Sequence, residues 1–260
     1  MRFRVGLRKL SASPLPFHYQ YPLACWFLRC LNVGDPELAD EVHASTGFKP
    51  YCFSNLLLSE SRISGEGLEF TRAAVVLSSP DSTFLRAFAE GLLTQPGFEL
   101  RRRRFVVEDV QVLPDPLLGS RARFRTLSPV YAKTAREAEP LVTAEGSGGA
   151  ATLLDGKPPL REWDLYPSDG KFYENVHRNL VERFTDFHGR PPERDAFEIV
   201  DVKDVKPKRV QIGSGHQLTH RRCAHFSFTA LGNPELLRFL HDAGLGEKQA
   251  MGFGCVEVTG

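Results

Sequence analysis

Near the end of the chain, Gly244-Leu245-Gly246-Glu247-Lys248-Gln249-Ala250-Met251-Gly252-Phe253-Gly254 sets four glycines and a lysine within eleven residues. Glycine takes positive φ without a steric penalty and lets a backbone come close to a neighbour. Successive amide N–H groups in such a loop suit phosphate oxygens, and Lys248 adds a charge. A tight structural turn would need the same glycines, so both readings fit the bare residues. It is not a Walker loop, because no strand-to-helix G-x-x-x-x-G-K-[ST] is present. Nor is it a dinucleotide fingerprint, since the order here is helix then strand.

The second group is basic. Lys203, Lys206, Lys208, Arg209, Arg221 and Arg222 crowd one region, and Arg101 to Arg104 form a block, on a chain of net charge +1. Local clusters on a near-neutral chain can make a polyanion-binding face or simply a solvated one. His216, His220 and His225 lie near one another on the basic stretch. They lack the thiol or carboxylate support that a metal site needs, so polyanion contact or plain surface suits them better. The five cysteines are scattered, with no C-x-x-C pair, which argues against a disulfide framework or a zinc ribbon. No G-x-S-x-G elbow supports a hydrolase triad. His241, on an amphipathic stretch, reads as structural.

These groups need elements to hold them. Arg2–Lys9 alternates as a strand, and Leu23–Leu31 is apolar almost all round, as a buried helix is. Asp35-Pro36 opens a short helix to Ala44, with Gly47 placed to end it. Strand-like runs follow at 51–59 and 68–78, then a helix at 82–93 capped by Asp81 or Ser82, then a strand or hairpin at 98–112. The second half repeats the order: a strand at 124–131, a helix at 169–188, strands at 197–210 and 221–231, a helix from Asn233-Pro234, and a last strand at 253–258. Between them, 132–165 reads as a long loop around Gly146-Ser147-Gly148-Gly149. Twice βαββαβ is the ferredoxin-like (RRM-like) split unit in tandem, an α+β fold with units at 1–123 and 124–260. No apolar run reaches the ~18–20 residues of a membrane span, and the N-terminus is strand-like, which points to a cytoplasmic protein.

The glycine-rich stretch before a closing strand resembles the C-terminal motif of the CRISPR repeat-processing endoribonucleases of the RAMP superfamily. Tyr21-Pro22-Leu23, then Asp35-Pro36-Glu37-Leu38-Ala39 ending at His43, resembles that family's N-terminal region. Lys49 with Tyr51-Cys52-Phe53-Ser54 resembles its next strand. Leu127-Ser128-Pro129-Val130, Phe172-Tyr173-Glu174 with Asn179-Leu180, and Lys206-Pro207-Lys208-Arg209 are similar to later landmarks. The pieces run in order over the whole chain.

The resemblance implies an enzyme that binds the repeat stem-loop of precursor CRISPR RNA and cuts it 3′ of the stem. The ribose 2′-OH attacks the adjacent phosphate, leaving a 2′,3′-cyclic phosphate and a 5′-OH, with no metal or cofactor. It implies His43 as the catalytic histidine, favoured as the acid, and Lys49 as the charge stabiliser. It implies RNA contacts from Lys206, Lys208, Arg209, Arg221 and Arg222, and from the loop at Gly244, Gly246, Lys248, Gly252 and Gly254. A homodimer and a place in a CRISPR interference complex stay open. Where many members carry a tyrosine on the first helix, this chain has Leu28 beside Trp26 and Phe27, none of which exchanges a proton. That departure keeps a non-cutting, repeat-binding member of the same superfamily as the alternative. An unrelated metabolic ferredoxin-like domain would have no use for the basic clusters.

Overall fold

A computed structural model describes residues 1–45, 47–137, 160–213 and 218–259. The first unit is built on β1 (Arg2–Lys9), whose alternation buries Phe3, Val5 and Leu7. Next, α1 (Gln20–Gly34) buries Leu23, Trp26, Phe27, Cys30 and Leu31. The Asp35 side chain then accepts from the Leu38 N–H at 3.0 Å and starts α2 (Pro36–Ala44) with proline in its first turn. That helix ends without Gly47. The Ser45 N–H closes the last turn on Glu41, and the chain leaves in an extended conformation that needs no left-handed residue.

Short strands follow: β2 (Cys52–Phe53), β3 (Leu57–Ser59), β4 (Arg62–Ser64) and β5 (Gly67–Glu69). The run at 68–78 thus divides, its start joining the β4–β5 hairpin and its remainder forming β6 (Arg72–Ser78). Asp81 caps α3 (Ser82–Thr94), accepting from Thr83 and Phe84. β7 (Gly97–Leu100) and β8 (Arg103–Leu113) form a hairpin. The sheet order is β2-β6-β1-β8-β7, and its first four strands have the order of a ferredoxin-like split unit.

The second unit starts with β9 (Arg121–Thr126), so a division between 123 and 124 falls inside that strand. The expected strand to 131 stops early because its later groups serve other partners. The Leu127 N–H donates to Cys255, while Pro129 and Tyr131 carbonyls accept from the glycine-rich loop. Instead of one loop over 132–165, β10 (Lys133–Glu137) pairs with β11 (Leu160–Asp164). Gly146–Gly149 lie outside the described residues. α4 (Gly170–His188), β12 (Phe197–Ile212), β13 (Thr219–Gly232) and α5 (Pro234–Ala243) follow as read. The last strand, β14 (Val256–Val258), is shorter than expected, because Gly252 and Gly254 hold φ of 87° and 70° just before it. The order β12-β13-β9-β14 repeats the first unit's arrangement, giving tandem ferredoxin-like units.

Each unit has its own phenylalanine-rich core. Between them runs a polar seam. Buried Arg2 donates to the His241 carbonyl at the end of α5 and to Ser78 Oγ, and Ser78 Oγ donates to the Asp242 carbonyl at 2.8 Å. His241 itself is buried and bonded to Asp242, in keeping with a structural role. No helix among the described residues is long and apolar enough to cross a membrane.

Candidate nucleic-acid interface

All four glycines of the 244–254 stretch hold positive φ, and the reason is contact within the protein. A Cβ at Gly254 would lie 1.9 Å from the Leu245 carbonyl oxygen, and one at Gly246 would lie 2.4 Å from that of Tyr131. The amides of Gly244, Gly252 and Gly254 donate to the carbonyls of Leu240, Gln249 and Pro129. Those three amides are therefore bonded within the protein, as the structural-turn reading of the sequence requires. The stretch is a braced plinth, and Lys248 stands exposed on it at a φ of 58°.

What braces it was not foreseen. Arg183 of α4 is only 4% exposed, yet its guanidinium donates to the carbonyls of Ala243 and Gly244 at 3.1 and 2.8 Å. It also bonds Asn179 Oδ1 and lies over the rings of Phe48 and Phe239. Burial lowers its pKa to about 10, so it stays charged at neutral pH. A signal was present: Arg183 falls on the Phe172–Val176–Leu180–Phe184 stripe, where a charge has no place unless it is fully paired.

Lys49 follows α2 and reaches a cleft of about 410 Å³. Phe48 and Lys49 of the first unit form one wall, Asn179, Glu182, Arg183 and Asp186 of α4 another, and Lys248 to Met251 a third. Burial pushes the Lys49 pKa below the ordinary lysine value. The structure thus brings Lys49 and Lys248 to one cleft between the units. It does not bring His43 there. His43 is exposed in the last turn of α2, outside the residues lining the cleft. A second recess of about 470 Å³, between α2 and α4, is lined by Val42, Ser45 and Lys49. Leu28 is partly buried against the core, and Trp26 and Phe27 are buried within it.

The basic strands divide in a way the sequence order hides. Residues opposite each other in an antiparallel pair share a face, and neighbours along a strand alternate. Lys206 pairs with His225, Lys208 with Cys223 and Val210 with Arg221, so Lys206, Lys208 and Arg221 share one face. Arg209 pairs with Arg222 on the other. Lys206, Lys208, Arg209 and Arg222 are exposed. Arg221 is engaged within the protein, 3.8 Å from Asp164 of β11 and over the Tyr131 ring.

The histidines also separate. His225 is neither a surface residue nor an open RNA contact. Its Nδ1 lies 3.0 Å from Thr126 Oγ1 and its Nε2 3.3 Å from Asn55 Nδ2, across the seam. Burial, then Lys208, lowers its pKa to about 4. His220 is exposed, and His216 lies outside the described residues. Among the described residues no three His, Cys, Asp or Glu side chains group as ion ligands.

Two family models match the chain in tandem. One, described as CRISPR-associated protein Cas6, N-terminal, matches residues 14–111, and the other, CRISPR associated protein Cas6, C-terminal, matches residues 113–258. A CRISPR-associated endoribonuclease Cas6 of Methanocaldococcus jannaschii is 30% identical, over 98% of this chain and 92% of that protein. Its Pyrococcus furiosus counterpart of the same name is 27% identical over 100% of this chain and 90% of its own. A solved structure described as a RAMP protein binding different RNA substrates superposes with a TM-score of 0.85. It is 29% identical, and the match covers 100% of both chains.

Proposed function

The chain belongs to the Cas6 family of CRISPR-associated proteins, and from that premise we propose that it binds the repeat stem-loop of precursor CRISPR RNA and cuts it without metal. The relatives bearing the name endoribonuclease support the cutting, and the RNA-binding RAMP structure supports the substrate class. The observation that carries the reading is Lys49, an ammonium partly withdrawn from water in a cleft it shares with Lys248.

In the proposed reaction the 2′-OH gives its proton to solvent water, its oxygen bonds to the adjacent phosphorus, and the bond to the 5′-oxygen breaks. The products are a 2′,3′-cyclic phosphate and a 5′-OH. The pentacoordinate intermediate gathers negative charge, and a poorly solvated ammonium interacts with it more strongly than one in bulk water. His43, in the last turn of α2, sits where the helix dipole favours the imidazolium, which can protonate the leaving 5′-oxygen. His43 reaches the scissile bond only from the rim, so the RNA must lie across the α2 side of the cleft. Exposed Lys206, Lys208 and Lys248 supply charge for phosphates, Arg209 and Arg222 add a weaker field from the opposite face of the ribbon, and Arg221 and the loop glycines hold the surface.

End-labelled repeat RNA incubated with the protein in excess EDTA tests this. One cut, with a cyclic phosphate that acid opens, is the expected outcome. An intact but retarded RNA would favour the second reading, a binder that does not cut. Leu28, with no proton to exchange on α1, is the observation in its favour. No binding at all would overturn both.

A further inference from the structure

The turn between β7 and β8 consists of Arg101 and Arg102, and both hold positive φ, 49° and 62°. Two-residue hairpin turns of this hand favour Asn-Gly, because residues with a Cβ adopt that backbone reluctantly. Two long cations at the two disfavoured positions are a poor choice for stability alone, and strain of this kind gathers where function requires it.

Their surroundings point to a ligand. Arg101, Arg102 and Arg104 are exposed, and none of the guanidinium groups from Arg101 to Arg104 has a carboxylate within ion-pair distance among the described residues. Arg101 Nε donates to the His18 carbonyl at 2.8 Å, and Arg103 Nε to that of Pro14 at 2.9 Å. The turn therefore fastens the segment that carries His18 and Phe17, whose ring is 46% exposed. That segment leads directly into Gln20. The Gln20 amide bonds Asn55, Asn55 bonds His225, and His225 lies opposite Lys206 on β12. A chain of hydrogen-bonded polar side chains thus links the basic strands of the second unit, over the start of α1, to the segment that the arginine turn fastens.

We infer that the Arg101–Arg102 turn, with Phe17 and His18 beside it, is a second RNA contact, one that takes an unpaired strand. The guanidinium groups meet its phosphates, and the Phe17 ring meets the face of a base. Unpaired strands are held in this way, by charge along the backbone and by aromatic platforms that accept any base. The inference rests on the RNA reading above and extends it from the duplex to the strand that leaves it.

Two probes separate the cases: a labelled oligouridylate of about 15 nucleotides and an RNA hairpin of about 12 base pairs. Changing Arg101→Asn together with Arg102→Gly removes both charges and supplies the residues the turn prefers, so the melting temperature should hold or rise. Affinity for the oligouridylate should fall about tenfold at ~0.1 M salt, and its log–log salt slope should become shallower by about 1.4 for two contacts. Hairpin binding should change by less than about twofold. Phe17→Ala leaves the turn untouched and should cost about tenfold on the oligouridylate alone. Wild type and both variants binding the oligouridylate equally, while still binding the hairpin, overturns this inference and spares the RNA reading. Wild type binding neither probe overturns both.

Discussion

His225 is the residue whose charge the fold controls most directly. Burial and Lys208 hold its pKa near 4, against an ordinary value of 6.5. Between those values the unfolded chain carries more protons than the folded one, so stability is lost as pH falls from 6.5 towards 4. The shift corresponds to about 3 kcal/mol. His225→Gln keeps a polar group at the seam but not the titration. Its stability deficit in urea, measured against wild type, should therefore shrink by about that amount between pH 7 and pH 4; parallel pH curves would show that His225 does not titrate in this way. For the reaction, His43→Ala should leave binding within a few-fold and slow cutting by ~10²–10⁴-fold. Near-normal cutting would move the site elsewhere. Lys49→Ala should lower the single-turnover rate by ~10²–10³-fold at an unchanged Kd. A collapse of binding with the saturated rate intact would make Lys49 a grip residue. The roles proposed for His43 and Lys49 rest on ordered family motifs, since an exposed helical histidine says nothing alone. Arg183 was legible in principle, as a charge on the apolar Phe172–Val176–Leu180–Phe184 stripe of α4.

Elements were legible where local physics decides them. The alternation of β1, the Asp35-Pro36 start of α2, the Asp81 cap and the stripe of α4 each name a structure from a few neighbouring residues. They were misread where a distant partner decides. In Leu127–Tyr131 one local signal, Pro129, already weighs against a central strand; what also ends β9 is that Leu127, Pro129 and Tyr131 bond to residues some 120 positions later. The glycine-rich stretch is the same case, its glycines explained by close contacts with Tyr131 and Leu245 rather than by a ligand. Its substitutions should therefore act on folding first. Gly254→Ala sets a Cβ 1.9 Å from a carbonyl oxygen at a φ of 70°, and should cost on the order of 3 kcal/mol in urea unfolding. Arg183→Leu, which leaves the Ala243 and Gly244 carbonyls without their buried donor, should cost a similar amount. A Gly254→Ala protein with wild-type stability but weakened RNA binding would restore the cradle reading.

At the scale of the whole molecule, the cleft exists only because the two units are docked, with Lys49 from the first and Lys248 from the second. We propose that the units divide within 114–120, between the end of β8 and the start of β9, where Leu117 stands fully exposed. Docking also decides what the basic strands can do. A rigid duplex can lie against one face of the β12–β13 ribbon at a time, and the register puts Lys206 and Lys208 on one face and Arg209 and Arg222 on the other. The lysine face carries His225, which meets Asn55 of the first unit, and α1 packs against β12. The other face carries Phe226 and Phe228 into the core of the second unit. The lysine face is thus the one that meets the first unit, which carries Lys49, so we propose that the RNA follows it. Replacing Lys206 and Lys208 together by alanine should weaken repeat binding and reduce the log–log salt slope by about 1.4–1.8, two phosphate contacts at ~0.7–0.9 each. Replacing Arg209 and Arg222 together removes the same charge from the opposite face and should move the slope by less than half as much. A slope carried mainly by the arginine pair would put the duplex on the opposite face of the ribbon and would overturn the lysine-face path.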